Sequence, residues 1–347
     1  MSWAFSSAFE RATEGDLTEL ATSRFGLQVT AVTRLPSERD DTVLLDSTRG
    51  RAVLKLAHPD DDPVLLDQRL ALMEWLSEQH CPVRTAGVWR SVEGERVATW
   101  RGRQASVVEY LPGEPLRRGG LSPADLTHLG HSIASLQEVL ASYPGAYVTE
   151  HVWNLADLHL LEPAFDAIAG ETWRAAAKSL IDLAQETTLS HLSALPVQVC
   201  HNDFHGDNVL MDPVRHRVVG LVDWGDSVVT SPLVDVAVAA SYARGYLAPE
   251  HSSDDPWLAA RELASGWESA RGLEAVGDQG APWDLLAELI LLRLIQRLVL
   301  NTAIARVATD GGVYARRNRE RSLADVTELW QTRPKSAFPS MERTPLW

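Results

Sequence analysis

The sequence predicts an α+β protein in two lobes: a small antiparallel β-sheet N-lobe over residues 1–110 and a larger, mainly helical C-lobe over 111–347. Three observations predict it. β-Branched and apolar runs alternate with short polar turns through the first hundred residues. Helical periodicity takes over after the turn Pro112-Gly113-Glu114-Pro115. The chain, at 347 residues, is also longer than one compact core usually holds.

The elements follow in order. LQVTAVTRL, TVLLDS and RAVLKLA, within 27–57, read as a three-stranded meander joined by the turns PSERDD and TRG. Pro63 opens a helix running to His80, with Leu65, Leu66, Leu70, Leu72, Met73 and Leu76 as its apolar face. Strand-like sequence resumes at 86–100, and QASVVEYL at 104–111 closes the sheet. Residues 121–142 read as a helix, with Ser122 as N-cap and Pro123 in the first turn. A helix is also predicted over 171–192. VQVCHND, NVLMD and RVVGLVDW then read as short strands, and from 232 the pattern is helical almost to the end.

Composition narrows the function classes. Apolar residues make up 45% and charged residues 23%, as in ordinary soluble proteins. The net charge of −15 argues against a nucleic-acid partner and suits a cationic small molecule. Cys81 and Cys200 are too few for a disulfide framework and read as reduced, buried thiols. Ala281–Ala308 is rich in Leu and Ile but carries Asp284, Glu288, Arg293, Gln296, Arg297, Asn301 and Arg306, which hydrocarbon does not tolerate. It reads as a buried helix rather than a membrane span. With no signal-like start, a cytoplasmic location is expected.

The chemistry is concentrated in VCHNDFHGDNVLMDPVRHRVVGLVDWGDS, residues 199–227. His201-x-Asp203 is followed by Asn208, five positions after the Asp, and by Asp223, fifteen further on. Each polar group borders an apolar run, so all should emerge from strand ends into neighbouring loops. Phosphoryl transfer needs this set: a carboxylate to take the acceptor hydroxyl's proton, and hard oxygen ligands for magnesium. A kinase catalytic loop supplies Asp and then Asn, with a separate later Asp on the metal. Asp203 is therefore the candidate base, Asn208 and Asp223 the metal ligands, and His201 a loop-propping residue. The alternation of His201, Asp203, His205 and Asp207 leaves a second reading open, a hydrolytic metal site. The oxygen-rich set suits magnesium better.

In the N-lobe, Lys55 ends the run AVLK. Its ammonium needs a partner there, and a kinase gives it nucleotide phosphates together with a carboxylate on the next helix. Asp67 and Glu74, seven residues apart, both face one side of that helix, and Asp67 is preferred. An edge-strand lysine facing water is the alternative. The turn from Ser37 to Asp41 has no glycine; Ser37 and backbone N–H groups remain phosphate candidates. Glu109 and Leu111 lie on the connecting strand, whose backbone would meet the purine of ATP or GTP without choosing between them.

These motifs bring a family into view. AVLK, VVEYLPGEPL, HNDFHGDNVL, LVDWGDS and SPLVDVAVAASY together resemble the aminoglycoside phosphotransferase and choline kinase superfamily, over roughly residues 27–330. The resemblance implies a protein-kinase-like fold, Mg2+, a nucleotide donor and an amino-bearing alcohol as acceptor. LPSERDD, the HND triplet, HVWNL and the late GGVYARRN look closest to the hydroxylysine kinase-like branch. Asn202 stands where many relatives have Gly. Asp41-Thr42 replaces a Gln-Asn pair, Asn154 an Asp, and Phe204-His205 a small residue plus Asn. The acceptor is thus left among hydroxylysine-like amino acids, amino sugars and aminoglycosides. His205, Asp226, Trp153 and Trp224 are its candidate contacts. Asp235 is assigned to hydrogen-bonding the catalytic loop, with ammonium binding as its alternative. A silent nucleotide-binding regulator is the main competing function. A protein kinase is disfavoured by the missing Gly-rich loop. Oligomeric state is not legible in the sequence.

Overall fold

A computed structural model describes residues 10–37, 40–214, 216–271, 283–307, 312–339 and 341. The fold is α+β, with an antiparallel sheet preceding a helical body.

The chain enters through helix α1 (Glu14–Phe25), which the strand reading did not anticipate. Thr13 and Asp16 form a reciprocal capping box, and Gly26 ends the helix at φ +66°. Leu17, Leu20, Ala21 and Phe25 are buried under the sheet. Each large apolar side chain so buried contributes roughly 1.5–3 kcal/mol.

The sheet contains β1 (Val29–Arg34), β2 (Asp41–Ser47), β3 (Gly50–Leu56), β4 (Val88–Trp89), β5 (Ala98–Trp100) and β6 (Arg103–Glu109), in the order β1-β2-β3-β6-β4 with β5 also on β6. All its pairs are antiparallel. On β3, Ala52, Leu54 and Leu56 are buried in the α1 cluster. Lys55, between them in sequence, therefore projects from the opposite face. It lies opposite Thr42 on β2 and Ser106 on β6.

Helix α2 (Pro63–Ser77), N-capped by Asp62, follows β3. Its buried residues Leu70, Leu72, Met73 and Leu76 belong to the larger hydrophobic cluster, not to the α1 cluster. So α2 packs as part of the helical body's core.

After the connecting strand, β7 (Glu114–Pro115) joins β9 (Val209–Asp212) and β10 (Arg217–Leu221) in a three-stranded sheet of order β10-β9-β7. The strands β8 (Gln198–Cys200) and β11 (Val228–Thr230) form a second small ladder. The helical body comprises α3 (Pro123–Leu140), α4 (Glu162–Ala167), α5 (Arg174–Glu186), α6 (Thr188–Ser193), α7 (Pro232–Ala243), α8 (Leu258–Arg271), α9 (Trp283–Val307) and α10 (Val313–Thr332). Ser122 caps α3 in a capping box with Asp125. The predicted 171–192 helix is broken at Thr187 into α5 and α6. α3 and α8 approach closely through Gly130 and Gly266, where any Cβ would strike facing backbone. α9 is buried along most of its length, including Arg293, Gln296, Arg297 and Asn301. Among the described residues no helix is long and apolar enough to cross a membrane.

Candidate active site

The candidate catalytic loop, His201–Asn208, leaves β8 and enters β9. Its geometry is set by Asp235 near the start of α7, a buried residue. Asp235 accepts the N–H of His201 at 3.2 Å and of Asn202 at 2.6 Å. Asn202 adopts φ +63°, the left-handed region that glycine favours and that Asn tolerates best among side chains. Its Nδ2 donates to the Asp226 carbonyl at 3.1 Å. His201 is buried, with Nε2 on the Val222 carbonyl at 3.1 Å and Nδ1 accepting the Asp203 N–H at 3.3 Å. Burial holds its pKa down despite the surrounding carboxylates. Both ring nitrogens are thus spent inside the fold, which removes His201 from any metal set. Among the described residues no group of three or more His, Cys, Asp and Glu side chains has metal-holding geometry.

Asp203 receives Asn208 Nδ2 on Oδ2 at 2.8 Å and lies 3.2 Å from His205 Nε2. Arg293 Nη2 stands 3.7 Å from its other oxygen. Burial alone would raise its pKa, but the His205 and Arg293 charges outweigh burial and keep the carboxylate ionised. The pair works both ways: burial opposes a charged His205 ring, yet Asp203 pushes it up to about 10.

Asn208 and Asp223 meet because β9 and β10 pair. The Val222 N–H donates to the Asn208 carbonyl at 2.9 Å, continuing the ladder one step past Leu221–Val209. Asp223, at φ +59°, turns its carboxylate to Lys55, whose Nζ lies 3.1 Å from Oδ1. Lys55 holds the Asp223 pKa down. Burial would lower the Lys55 pKa, but Asp223 and Asp40 raise it. Asn208 spends its Nδ2 on Asp203, and among the described residues nothing donates to Asn208 Oδ1 or Asp223 Oδ2. Two hard oxygens thus remain on adjacent strand ends, a donor set that fits magnesium.

Two sequence expectations need correction. Asp67 does not partner Lys55. It forms a two-pronged pair with Arg96, both contacts at 2.9 Å, while Glu74 pairs with Arg90 at 2.7 Å and with Arg96 at 3.3 Å. Both carboxylates do share one helix side, but that side faces the β4–β5 segment. Trp224 does not wall a pocket: it is 2% exposed and packs edge-on against His201 with centroids 4.7 Å apart.

The remaining candidates occupy varied places. His205 sits between Asp203 and the Tyr242 ring, 5.4 Å away. Asp226 lies 3.6 Å from His151; burial and the charges of Asp203 and Asp223 push its pKa up to about 7. Trp153 is half-buried, lies 4.9 Å from the Arg293 guanidinium, and accepts Arg293 Nη1 on its carbonyl at 2.7 Å. Ser37 is exposed and accepts the Asp40 N–H on Oγ at 3.1 Å; Glu38 and Arg39 of the same turn lie outside the described residues. Glu109 pairs with Arg84 at 3.2 Å and sends its N–H to Gly87. Leu111 is buried, and its N–H has no acceptor among the described residues. A cavity of about 400 Å³ lined by Arg84, Leu111, Met211 and Asp212 lies at the far end of β9 from Asn208.

Sequence reasoning missed the role of Arg293, which also donates to the Asn202 carbonyl at 3.3 Å. An arginine inside LILLRLIQRL was the available signal, since a buried guanidinium needs acceptors. It also missed His151 beside Asp226.

Known proteins resemble this chain in sequence and in fold. The phosphotransferase enzyme family profile matches residues 31–273. Hydroxylysine kinase of Mus musculus is 24% identical over 318 residues, 83% of this chain and 81% of that protein. Homoserine kinase of Caulobacter sp. (strain K31) is 28% identical over 254 residues, 69% of this chain and 71% of that protein. An amicoumacin kinase solved with AMP-PNP and Ca2+ superposes with a TM-score of 0.67 at 16% identity, over 90% of this chain and 93% of that one.

Proposed function

Because this chain belongs to the phosphotransferase enzyme family, we propose that it transfers the γ-phosphoryl group of Mg-ATP to a hydroxyl of an amino-bearing small molecule, with Asp203 as base. The observation that carries the reading is the Lys55–Asp223 contact, 3.1 Å across 168 residues of sequence. It brings the sheet's one inward lysine to the strand end beside Asn208.

In this reading residues 1–110 cradle the nucleotide and residues 111–347 carry catalysis and the acceptor. Asn208 Oδ1 and Asp223 Oδ2 would hold magnesium, which would supply charge neutralisation on the phosphates. Lys55 moves from Asp223 to the phosphate oxygens. The Leu111 N–H serves the purine edge. Asp203 takes the hydroxyl proton. Its depressed pKa makes it a weak base, which suits a reaction limited by alignment more than by proton abstraction. The three neighbours of its carboxylate fix its direction. Asp226, a half-buried carboxylate crowded by Asp203 and Asp223, is the ammonium site for the acceptor, with His151 and Trp153 beside it.

Nucleotide consumption should be screened with ATP and with GTP against hydroxylysine, homoserine, amino sugars and aminoglycosides. An acceptor-dependent signal is expected, and Asp203→Ala should reduce turnover by about 10²–10⁴-fold while leaving nucleotide affinity within a few-fold. Wild-type turnover in Asp203→Ala would remove the base assignment. Nucleotide binding without turnover on any acceptor would favour the silent regulator.

A further inference from the structure

α9 is rich in Leu and Ile, yet its middle carries Arg293 and Gln296, 1% and 0% exposed. An apolar side chain at either position would fill the space without the cost of taking a charge or an amide out of water. The contacts of the pair supply the reason for them.

Arg293 Nη1 donates to the Trp153 carbonyl at 2.7 Å and to Gln296 Oε1 at 2.9 Å. Its Nη2 donates to the Asn202 carbonyl at 3.3 Å and stands 3.7 Å from Asp203 Oδ1. Gln296 Nε2 donates to the Val152 carbonyl at 2.9 Å and to that of Asn154 at 3.5 Å. The guanidinium also lies 4.9 Å from the Trp153 ring centroid, within cation–π range. One nitrogen of a rigid planar fork thus holds the segment around Trp153, and the other holds the candidate catalytic loop. Arg293 Nε is buried with no hydrogen-bond partner, so the side chain is satisfied only at the two ends that reach these segments.

Residues 151–157 are tied together in their own right. Asp157 Oδ2 accepts the His151 N–H and Asn154 Nδ2, both at 2.9 Å, and Asn154 Oδ1 accepts the Ala156 N–H at 3.2 Å. The Trp153 N–H donates to His151 Nδ1 at 3.4 Å, which leaves His151 Nε2 facing Asp226 Oδ1, 3.6 Å away. A shift of the Trp153 carbonyl is therefore passed on to His151, beside the proposed ammonium site. A shift of the Asn202 carbonyl acts on Asp203, the next residue.

We propose that Arg293, supported by Gln296, is a positioning residue that joins the acceptor side of the cleft to the candidate base, so that His151 and Trp153 keep a fixed distance from Asp203. The roles of the two ends rest on the kinase reading; the junction between them is a property of the fold. Loosening the 151–157 segment then misaligns the base, and acceptor recognition and turnover are lost together.

Hydrogen exchange of the full-length protein without ligand tests the junction. Steady-state kinetics with ATP and Mg2+, on hydroxylysine, homoserine, amino sugars and aminoglycosides, tests its consequence. Arg293→Lys keeps the charge but puts one nitrogen in place of the fork. It should raise exchange by about tenfold or more in peptides covering both 151–157 and 201–208, the worth of a charged hydrogen bond, and leave α3 and α8 unchanged. Gln296→Leu should loosen 151–157 more than 201–208. Arg293→Lys should also lower kcat by about 10–100-fold and raise acceptor KM, with nucleotide KM within about twofold, because Arg293 contacts neither Lys55 nor Asp223. In an Asp203→Ala background the same change should cost kcat a much smaller factor, since an absent base cannot be misdirected.

Exchange raised in one of the two segments alone, or evenly across the protein, would overturn the proposal. So would a lowered Tm with kcat and acceptor KM unchanged, the mark of a purely stabilising arginine, or an equal loss of kcat with and without Asp203. Both segments loosening together in a protein that turns over no acceptor would leave the junction standing and sink the kinase reading. Acceptor-dependent turnover with segments that loosen independently would do the reverse.

Discussion

The catalytic loop and the sheet carry one charged group each to the same place, and hold it in opposite ways. Asp203 is fixed several times over. Asn208 and His205 grip its carboxylate, Arg293 stands behind it, and Asp235 clamps the two residues before it by their backbone N–H groups. Among the described residues Lys55 has one side-chain hydrogen-bond partner, Asp223, and about a third of its side chain is exposed. The difference matches the two tasks proposed for them. A base must hold its direction while the hydroxyl approaches, so its surroundings are built in advance. A phosphate-binding lysine must release one partner to take another, so a lone exchangeable contact serves it better.

The hardest way to break this comparison is to remove the clamp. Asp235→Ala leaves the His201 and Asn202 N–H groups buried without an acceptor, each costing about 1–3 kcal/mol. A loss of roughly 3–5 kcal/mol in chemical denaturation is expected, with turnover down at least about tenfold because Asn202 is no longer held at φ +63°. Asp235→Asn keeps one acceptor oxygen and should lose less. If Asp235→Ala is as stable as wild type, the loop is not clamped from α7 and the contrast with Lys55 falls.

Asp226 sharpens the comparison by its pH dependence. Its folded pKa is about 7, raised from 3.8 by burial first and then by Asp203 and Asp223. The folded state therefore binds the proton more tightly than the unfolded chain. Stability from this group is full below about pH 4, falls as pH rises toward about 7, and stays low above that. Arg293 and Arg69 oppose the shift without cancelling it. Asp226→Asn should flatten that slope in the ligand-free protein and stabilise it at pH 8 by about 1–3 kcal/mol, while weakening binding of amino-bearing acceptors. Melts from pH 4 to 8 check this, and an unchanged slope in the Asn variant would locate the proton elsewhere.

How much was readable in advance follows from the range of the contacts involved. The catalytic loop was legible because its determinants sit within a few residues of one another: His201, Asp203 and Asn208 interact at separations of two and five. The caps of α3 were legible for the same reason. Lys55 was identifiable as a lysine on an apolar strand, but its contact lies 168 residues away and no local rule could choose it. Arg293 reaches Asn202 across 91 residues, so a helix written as apolar hid a residue of the site. Trp224 failed differently: sequence gave its neighbourhood, not which side of the β10 exit its ring would take. α1 went unread although Thr13 and Asp16 spelled its capping box, because its short apolar stripe ended at Gly26 against a stronger strand signal.

The smallest expected effect bears on the partner that sequence favoured for Lys55. In the two-lobed kinase pattern a carboxylate on the helix after β3 would steady the lysine, and α2 does carry Asp67 and Glu74. Here both are tied to Arg96 and Arg90 on the helix's other side. Exposed pairs of this kind are worth about 0.2–1 kcal/mol. Asp67→Asn should accordingly cost less than about 1 kcal/mol of stability and leave nucleotide KM within about twofold, while Lys55→Ala raises nucleotide KM far more. The asymmetry has a physical reason. Moving Asp67 to Lys55 would require α2 to rotate, and rotation would pull Leu72, Met73 and Leu76 out of the larger core, at roughly 1.5–3 kcal/mol per side chain. A single exposed ion pair cannot offset that. A tenfold or greater rise in nucleotide KM for Asp67→Asn would mean that α2 turns when nucleotide binds, and that Lys55 has a second partner after all.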